Sequence, residues 1–401
     1  MTPWGLAWRG ISRSPARTVL AVSGVTVIGA LLFNMLMLSR GLLVSFQDLL
    51  DDVGFNIRVI AREGSIVNRL PIADATSLAE AIARLPAVQR VAQVRMGRAT
   101  AIAPGSQRAE AVTLVGTTDI GAGWTMVRGA RLPRSNTPGE PMPLIVSARF
   151  AADFQLEPGS TLNLRLSLPG SASALPLVTT RVVGIAVFEF EAADEFSVAT
   201  TLEGFAAAHG AADNHEAEML LVSSRPGMEA PASDAIARLR RDVRVFSNEQ
   251  VMAQFNDNSF SYFRQISTVL SSLTLAFAFL LVATLLTMSV NQRLGEVAAL
   301  RALGFPRRRI AANLLWESAL LVGVGGVLAL PLGGLLAVVL DRILRNMPGV
   351  PARLHFFVLE PRTLVLHAAL LGATAVVAAL YPIWIATRLP IAATLRREAL
   401  S

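Results

Sequence analysis

Four stretches of the chain stay apolar for longer than the core of a folded domain requires. Residues 19–38, 266–290, 319–340 and 364–387 carry no formally charged side chain, and Asn34 and His367 stand out as polar members. A helix needs roughly 20 apolar residues to cross a bilayer core, so each run predicts one span. With their flanks the spans cover 19–43, 263–290, 314–340 and 363–387. The first is read as an uncleaved span, since Leu38 is followed by Ser-Arg-Gly-Leu-Leu instead of a small-x-small cleavage site. Ahead of it, Trp4, Trp8, Ile11 and Pro15 recur at helical spacing, with Arg9 and Arg13 on other faces. That pattern predicts an interfacial amphipathic helix over 1–18.

Arginines orient the spans. Arg9, Arg13 and Arg17 precede the first. Arg293, Arg301, Arg307, Arg308 and Arg309 lie between the second and third, and Arg388, Arg396 and Arg397 follow the fourth. Four spans place these segments on one side, which the positive-inside bias makes cytoplasmic. The segment 291–313 and the tail 388–401 are then cytoplasmic. The loop 341–362 is external, although it carries Arg342, Arg345, Arg353 and Arg362.

Between the first and second spans the pattern changes to mixed periods of two and 3.6, predicting one external α/β domain over 44–262. "NIRVIAREG" (56–64), "AVQRVAQVRMGRATAIA" (87–103) and "AEMLLVSS" (217–224) read as strands. "SLAEAIARL" (77–85) and "SDAIARLRRD" (233–242) read as amphipathic helices. Residues 81–91, "AIARLPAVQRV", and 235–245, "AIARLRRDVRV", repeat a helix followed by a strand, so a duplicated strand–helix–strand unit is expected. Between the copies, 115–190 has short alternating runs such as "TLNLRLSL" among Gly and Pro, and predicts a β-rich insert. The fold class expected is a four-helix membrane protein with a large mixed α/β domain inserted between its first two helices.

Composition supports this and removes whole classes of function. The chain is 53% hydrophobic and 16% charged, against about a quarter charged in soluble domains. Its net charge of +7 sits in arginines beside apolar runs, without the aromatic interleaving or zinc-finger spacing of a nucleic-acid binder. There is no cysteine, hence no disulfide, thiolate chemistry or Cys–metal site. There is also no lysine: all 36 basic residues are arginine. A P-loop and a pyridoxal Schiff base both need a lysine, so neither belongs to this chain. No H-E-x-x-H or G-x-S-x-G motif is present. The four histidines are scattered, and His209 and His215 in "HGAADNHEAE" read as part of a solvated loop. The acidic stretch "EFEAADE" (189–195) reads as a wet loop, with cation binding as the alternative. No catalytic or metal-binding residue is expected. The spans hold little that is ionisable, which disfavours an ion-coupled carrier. Gly323, Gly325, Gly326, Gly333 and Gly334, with Pro331, suit close helix approach and a kink in the third span.

One segment asks for more than a surface loop. In "GEVAALRALGFPRRRI" (295–310), Val297, Leu300 and Leu303 continue a three-residue rhythm from Leu294. Gly304 suits a helix C′ position, and Pro306 blocks continuation. The wider stretch "NQRLGEVAALRALGFPRRRIAANLLWESALL" (291–321) resembles the cytoplasmic turn of FtsX/MacB-type permeases of ABC transporters. The shared pattern is a Glu, Leu-Arg-x-Leu-Gly, a basic turn and a Glu-Ser: here Glu296, Leu300, Arg301, Leu303, Gly304, Arg307–Arg309, Glu317 and Ser318. "RSPARTVLAVSGVTVIGAL", "GEPMPLIVSARFAADFQLEPGSTL" (139–162) and "YPIWIATRLPIAATLRREAL" (381–400) extend the resemblance, as does the order of one span, a large domain and three spans.

The resemblance implies a non-catalytic permease of the bacterial inner membrane, with the large domain periplasmic and both termini cytoplasmic. It implies a homo- or heterodimer of such chains on a separate pair of ABC ATPase subunits. Those subunits bind the ATP and Mg; the permease needs no cofactor. Glu296, Leu300, Arg301, Leu303, Gly304, Arg307, Arg308 and Arg309 would seat on the ATPase, and its closure would reshape the periplasmic domain (mechanotransmission). Trp4, Trp8, Arg9 and Arg13 would lie at the membrane interface. Full MacB carries its own N-terminal ATPase, for which 1–18 is too short. FtsX has a much smaller external domain, so the expected relatives are lipoprotein-releasing and tripartite-exporter permeases. Partners implied are a periplasmic adaptor or lipoprotein carrier and the lipid bilayer, and the cargo is lipid-linked or periplasmic. The rival reading is an ATP-independent membrane receptor or scaffold.

Overall fold

A computed structural model describes residues 15–64, 70–102, 108–119, 123–137, 139–167, 175, 177–210, 215–258, 260–292 and 306–388. They fall into two compact units. An α/β unit takes residues from Leu43 to Asn258 together with Ile343–His355, and a helical unit takes the remainder.

The chain opens with α1 (Pro15–Asp52), whose residues up to Leu42 belong to the helical unit and whose last turns belong to the α/β unit. β1 (Ile57–Ala61), α2 (Ala75–Ala83) and β2 (Val88–Ile102) follow, then β3 (Ala109–Thr117), β4 (Trp124–Gly129) and β5 (Met142–Ser147). Next come α3 (Ala148–Phe154), β6 (Thr161–Ser167), β7 (Val178–Phe188), β8 (Phe196–Thr201) and α4 (Leu202–Ala208). β9 (Met219–Ser224), α5 (Glu229–Leu239), β10 (Val243–Ser247) and α6 (Asn248–Asn258) complete the α/β unit. Short polar side chains start two of these helices. The Ser147 hydroxyl accepts the Phe150 N–H at 3.2 Å, and that of Thr201 accepts the Gly204 N–H at 3.0 Å.

The ten strands form one sheet in the order β10-β1-β9-β2-β3-β8-β5-β7-β4, with β6 bridging β2 and β7. The two segments that share AIARL both adopt strand–helix–strand, and they interleave. β1 lies between β10 and β9, and β9 between β1 and β2, all antiparallel. This is a split β-α-β arrangement. Its helices bury Leu78, Ile82 and Ile236 against Ile57, Val59, Leu220 and Val222. The β-rich insert is wider than the predicted 115–190: its strands run from Ala109 to Thr201 and it includes α3 and α4. It forms no separate sheet, because β2 is fifteen residues long. Its first half pairs with β9 and its second with β3 and β6. A second core of Leu144, Phe150, Leu162, Leu164, Val198 and Phe205 fills this side.

The helical unit is built from α1, α7 (Phe260–Gln292), α8 (Arg307–Arg345) and α9 (Pro361–Arg388), each long and apolar enough to cross a membrane. α1 and α8 run beyond the predicted limits of 43 and 340. At 38 and 39 residues they are each about 57–58 Å long, nearly twice the roughly 30 Å bilayer core. Apolarity stops at the bilayer, but hydrogen bonding lets a helix continue past it. α1 and α8 meet in steps of four residues. A Cβ added to Gly325 would stand 2.6 Å from Val25 Cγ1, one on Gly29 2.9 Å from Ala329 Cβ, and one on Gly333 2.9 Å from Phe33 Cδ1. Glycine at 325 and 333 is what lets these backbones approach. Asn34 is wholly buried here and donates from Nδ2 to the Ala30 carbonyl at 2.9 Å and to the Gly333 carbonyl at 3.0 Å.

Candidate functional site

The acidic stretch 189–195, expected as a wet loop, is a docking strip. Its partner is the segment joining α8 to α9, which the sequence reading left as the external loop 341–362 outside the α/β domain. Gly349, with φ 75°, turns this segment, and its N–H donates to Asp194 Oδ1 at 2.7 Å. The Ala193 N–H donates to the Val350 carbonyl at 3.1 Å, and the Ala352 N–H to the Glu191 carbonyl at 2.8 Å. Ala192 and Pro351 form the bridge between them. Arg353 then pairs with Glu189, whose carboxylate is almost fully buried and also accepts from Thr125 Oγ1 at 3.2 Å.

The remaining acids of the strip are also satisfied. Glu191 accepts from the Ser147 hydroxyl at 2.7 Å and the Ser197 N–H at 3.4 Å. Burial holds its carboxyl above the ordinary carboxylate range, opposed by Ser147 and by the nearby Arg149 charge. Glu195 accepts from Thr113 Oγ1 at 3.3 Å. Arg149 clamps the strip's backbone through the carbonyls of Ala192 and Ala193. Among the described residues no group of His or acidic side chains is placed to hold a metal. His209 stacks on Phe205 with ring centroids 6.3 Å apart.

Where the same segment returns to the helical unit, Asp341 accepts the N–H groups of Phe356 at 2.8 Å and Phe357 at 3.4 Å. On the α/β side, the His355 N–H donates to Ser45 Oγ at 2.8 Å. Both ends of the segment are therefore fixed by hydrogen bonds.

Of the predicted coupling residues, Glu296, Leu300, Arg301, Leu303 and Gly304 lie outside the described residues, as do Trp4, Trp8, Arg9 and Arg13. α8 starts at Arg307, directly after Pro306; Arg308 and Arg309 are exposed on its first turn, and the Arg309 N–H donates to the Pro306 carbonyl at 2.9 Å. Further along, Ser318 is buried and its hydroxyl donates to the Ala375 carbonyl on α9 at 2.9 Å; Glu317 beside it is buried too.

A MacB-like periplasmic core domain family matches residues 18–241, more than half of the chain, and an FtsX-like permease C-terminal family matches residues 268–391. The chain belongs to the MacB/FtsX-like permease family of ABC transporters. It is a multi-pass membrane subunit, of a family generally without catalytic activity. Solved structures similar to this permease include the periplasmic region of MacB from Actinobacillus actinomycetemcomitans. It is 10% identical with a TM-score of 0.39, over 53% of this chain and 99% of that one. The extracellular domain of the ABC-type transporter YknZ from Gram-positive bacteria is 12% identical with a TM-score of 0.35, over 48% and 100%. A domain of a permease protein from Porphyromonas gingivalis is 11% identical with a TM-score of 0.32, over 48% and 87%. No curated protein matches the permease.

The permease's docked segment was missed by sequence reasoning. The available signal was an acidic run, 189–195, and an arginine-bearing external loop that needed a counter-charge.

Proposed function

We propose that this permease couples ATP hydrolysis on a separate ATPase subunit to movement of its α/β unit. It would act in the inner membrane as one of two permease chains, with termini cytoplasmic and the α/β unit periplasmic. The ATPase pair holds the ATP and Mg. Glu296, Leu300, Arg301, Leu303, Gly304 and Arg307–Arg309 form the seat on which that ATPase bears. The cargo in this reading is lipid-linked or periplasmic, delivered with the help of an adaptor or lipoprotein carrier.

The supporting observation is the continuity of α8. It begins at Arg307, within the proposed seat, and reaches Arg345 as one helix, with the unit boundary between Arg342 and Ile343. In this reading a displacement of its first turn is carried along α8, which stays helical through Pro331, to the segment docked on 189–194. The absence of lysine is consistent with hydrolysis on another chain.

The test is mass spectrometry of proteins captured with the tagged permease after mild crosslinking in its native membranes. The expected result is a Walker-motif protein at about one copy per permease chain. A Leu300→Cys chain, with no other cysteine present, should then crosslink to a cysteine on that protein. An intact permease dimer without any ATPase would overturn the reading in favour of a receptor or scaffold.

A further inference from the structure

α8 and α9 enclose a groove of about 780 Å³, within the span of roughly 300–1,000 Å³ typical of ligand sites. Its walls are apolar, with Ala319, Leu330, Leu364 and Leu371 among them. It owes its depth to Gly323 and Gly372, where an added Cβ would meet no atom within 4 Å. Trp316 and Val376 on its lining are about half exposed and Val327 about two-thirds, so it opens on the outside of the helical unit.

His367 is the one ionisable side chain among its lining residues, and it is only 3% exposed. Phe33 holds the ring edge-on at 5.3 Å. The Gly326 backbone lies beside it, yet neither Nδ1 nor Nε2 completes a hydrogen bond. A neutral imidazole offers one donor and one acceptor, and polar groups left unmet inside hydrocarbon are costly.

We propose that this groove holds one acyl chain of a bilayer glycerolipid, with the His367 N–H donating to the ester carbonyl. Three observations select that occupant. Walls this apolar do not hold water, which needs several polar partners. An apolar helix from a second copy would fill the volume and leave the imidazole unmet. His367 is also placed as an ester requires: six residues, about 9 Å, from the Pro361 end of α9, with its side chain leaning toward that end. The chain then runs away from His367 toward Trp316. The site does not depend on whether the permease meets an ATPase.

The test uses the full permease in nanodiscs of an ester phosphatidylcholine doped with the same lipid bearing a diazirine on one chain. After irradiation, adducts are mapped by peptide fragmentation. Adducts should concentrate on 319–327 of α8 and 368–376 of α9, above the lipid-exposed positions of α7. The double substitution Gly323→Leu and Gly372→Leu, which fills open space, should remove that excess. His367→Phe keeps a ring but no hydrogen bond, and should lower groove labelling about fivefold, the weight of one neutral hydrogen bond. An ether-linked probe should lower it equally on the unaltered permease. Labelling equal to that of α7 and indifferent to the Leu pair would overturn the proposal. So would photo-crosslinks joining α8 or α9 of two copies in place of lipid adducts, or ester and ether probes labelling alike.

Discussion

In the α/β unit, Phe150, Leu144 and Leu164 lie fully buried beneath one continuous sheet. In the helical unit, α1 and α8 approach closely at Gly325 and Gly333, and the buried polar group at that crossing, Asn34, bonds to backbone. The α/β unit gains stability by withdrawing apolar surface from water. A spanning helix moves its apolar side chains from lipid tails to other side chains, which gains little. Backbone proximity and a few hydrogen bonds do the holding instead. The two units should therefore fail under opposite kinds of substitution.

The largest expected effect is a large-to-small change in the α/β unit. Phe150→Ala removes a ring packed against Phe154 and Phe196, at 4.6 and 5.2 Å. It should cost about 3–5 kcal/mol in denaturant unfolding. The matched change on the outside of the helical unit, Leu335→Ala, should cost almost nothing, since that side chain is 66% exposed. Equal losses would erase the contrast. Next comes a small-to-large change. Gly325→Leu overfills the α1–α8 crossing and should cost about 1–3 kcal/mol, read as an earlier midpoint of unfolding in mixed micelles.

Smaller effects sharpen the picture at the docked segment. Arg353→Ala leaves Glu189 buried without its cation, but the arginine is itself half exposed, so solvent screening limits the loss to about 1 kcal/mol. Amide exchange at 349–353 should quicken about fivefold, and adding Glu189→Gln should recover part of the protection. The smallest change is in pH dependence. The Glu191 carboxyl is held above its ordinary value by burial, so the folded chain takes up that proton more readily than the unfolded one. Its contribution to stability is full below the ordinary carboxylate range and declines as pH rises through the raised value. Glu191→Gln should flatten that decline in thermal midpoints recorded from about pH 4 to 8. A parallel profile would place the cause elsewhere.

The four spans were legible because a bilayer imposes a length, and α2 and α5 because AIARL marks an amphipathic face twice. β1, β2 and β9 followed from their alternating runs. What the sequence hid depends on distant partners. Residues 43–52, "LVSFQDLLDD", continue α1 without a long apolar run to announce it. The pairing of 349–353 with 189–194 is made largely by backbone groups, which carry no residue signature, across about 160 positions. His367 was visible as a polar residue in a span. That it lines a groove depends on which side of α9 meets α8.

The interleaved order β10-β1-β9-β2 also bears on how the permease is made. β1 leaves the ribosome soon after the first span, but its neighbours lie at 219–224 and 243–247. At about 5–20 residues per second, β1 waits on the order of 10 s or more with both edges unpaired. The acidic strip waits about as long, until Arg353, roughly 160 positions further on, has been synthesised. Assembly thus proceeds from the chain's middle outward, and its opening strand is exposed to mispairing for most of that time.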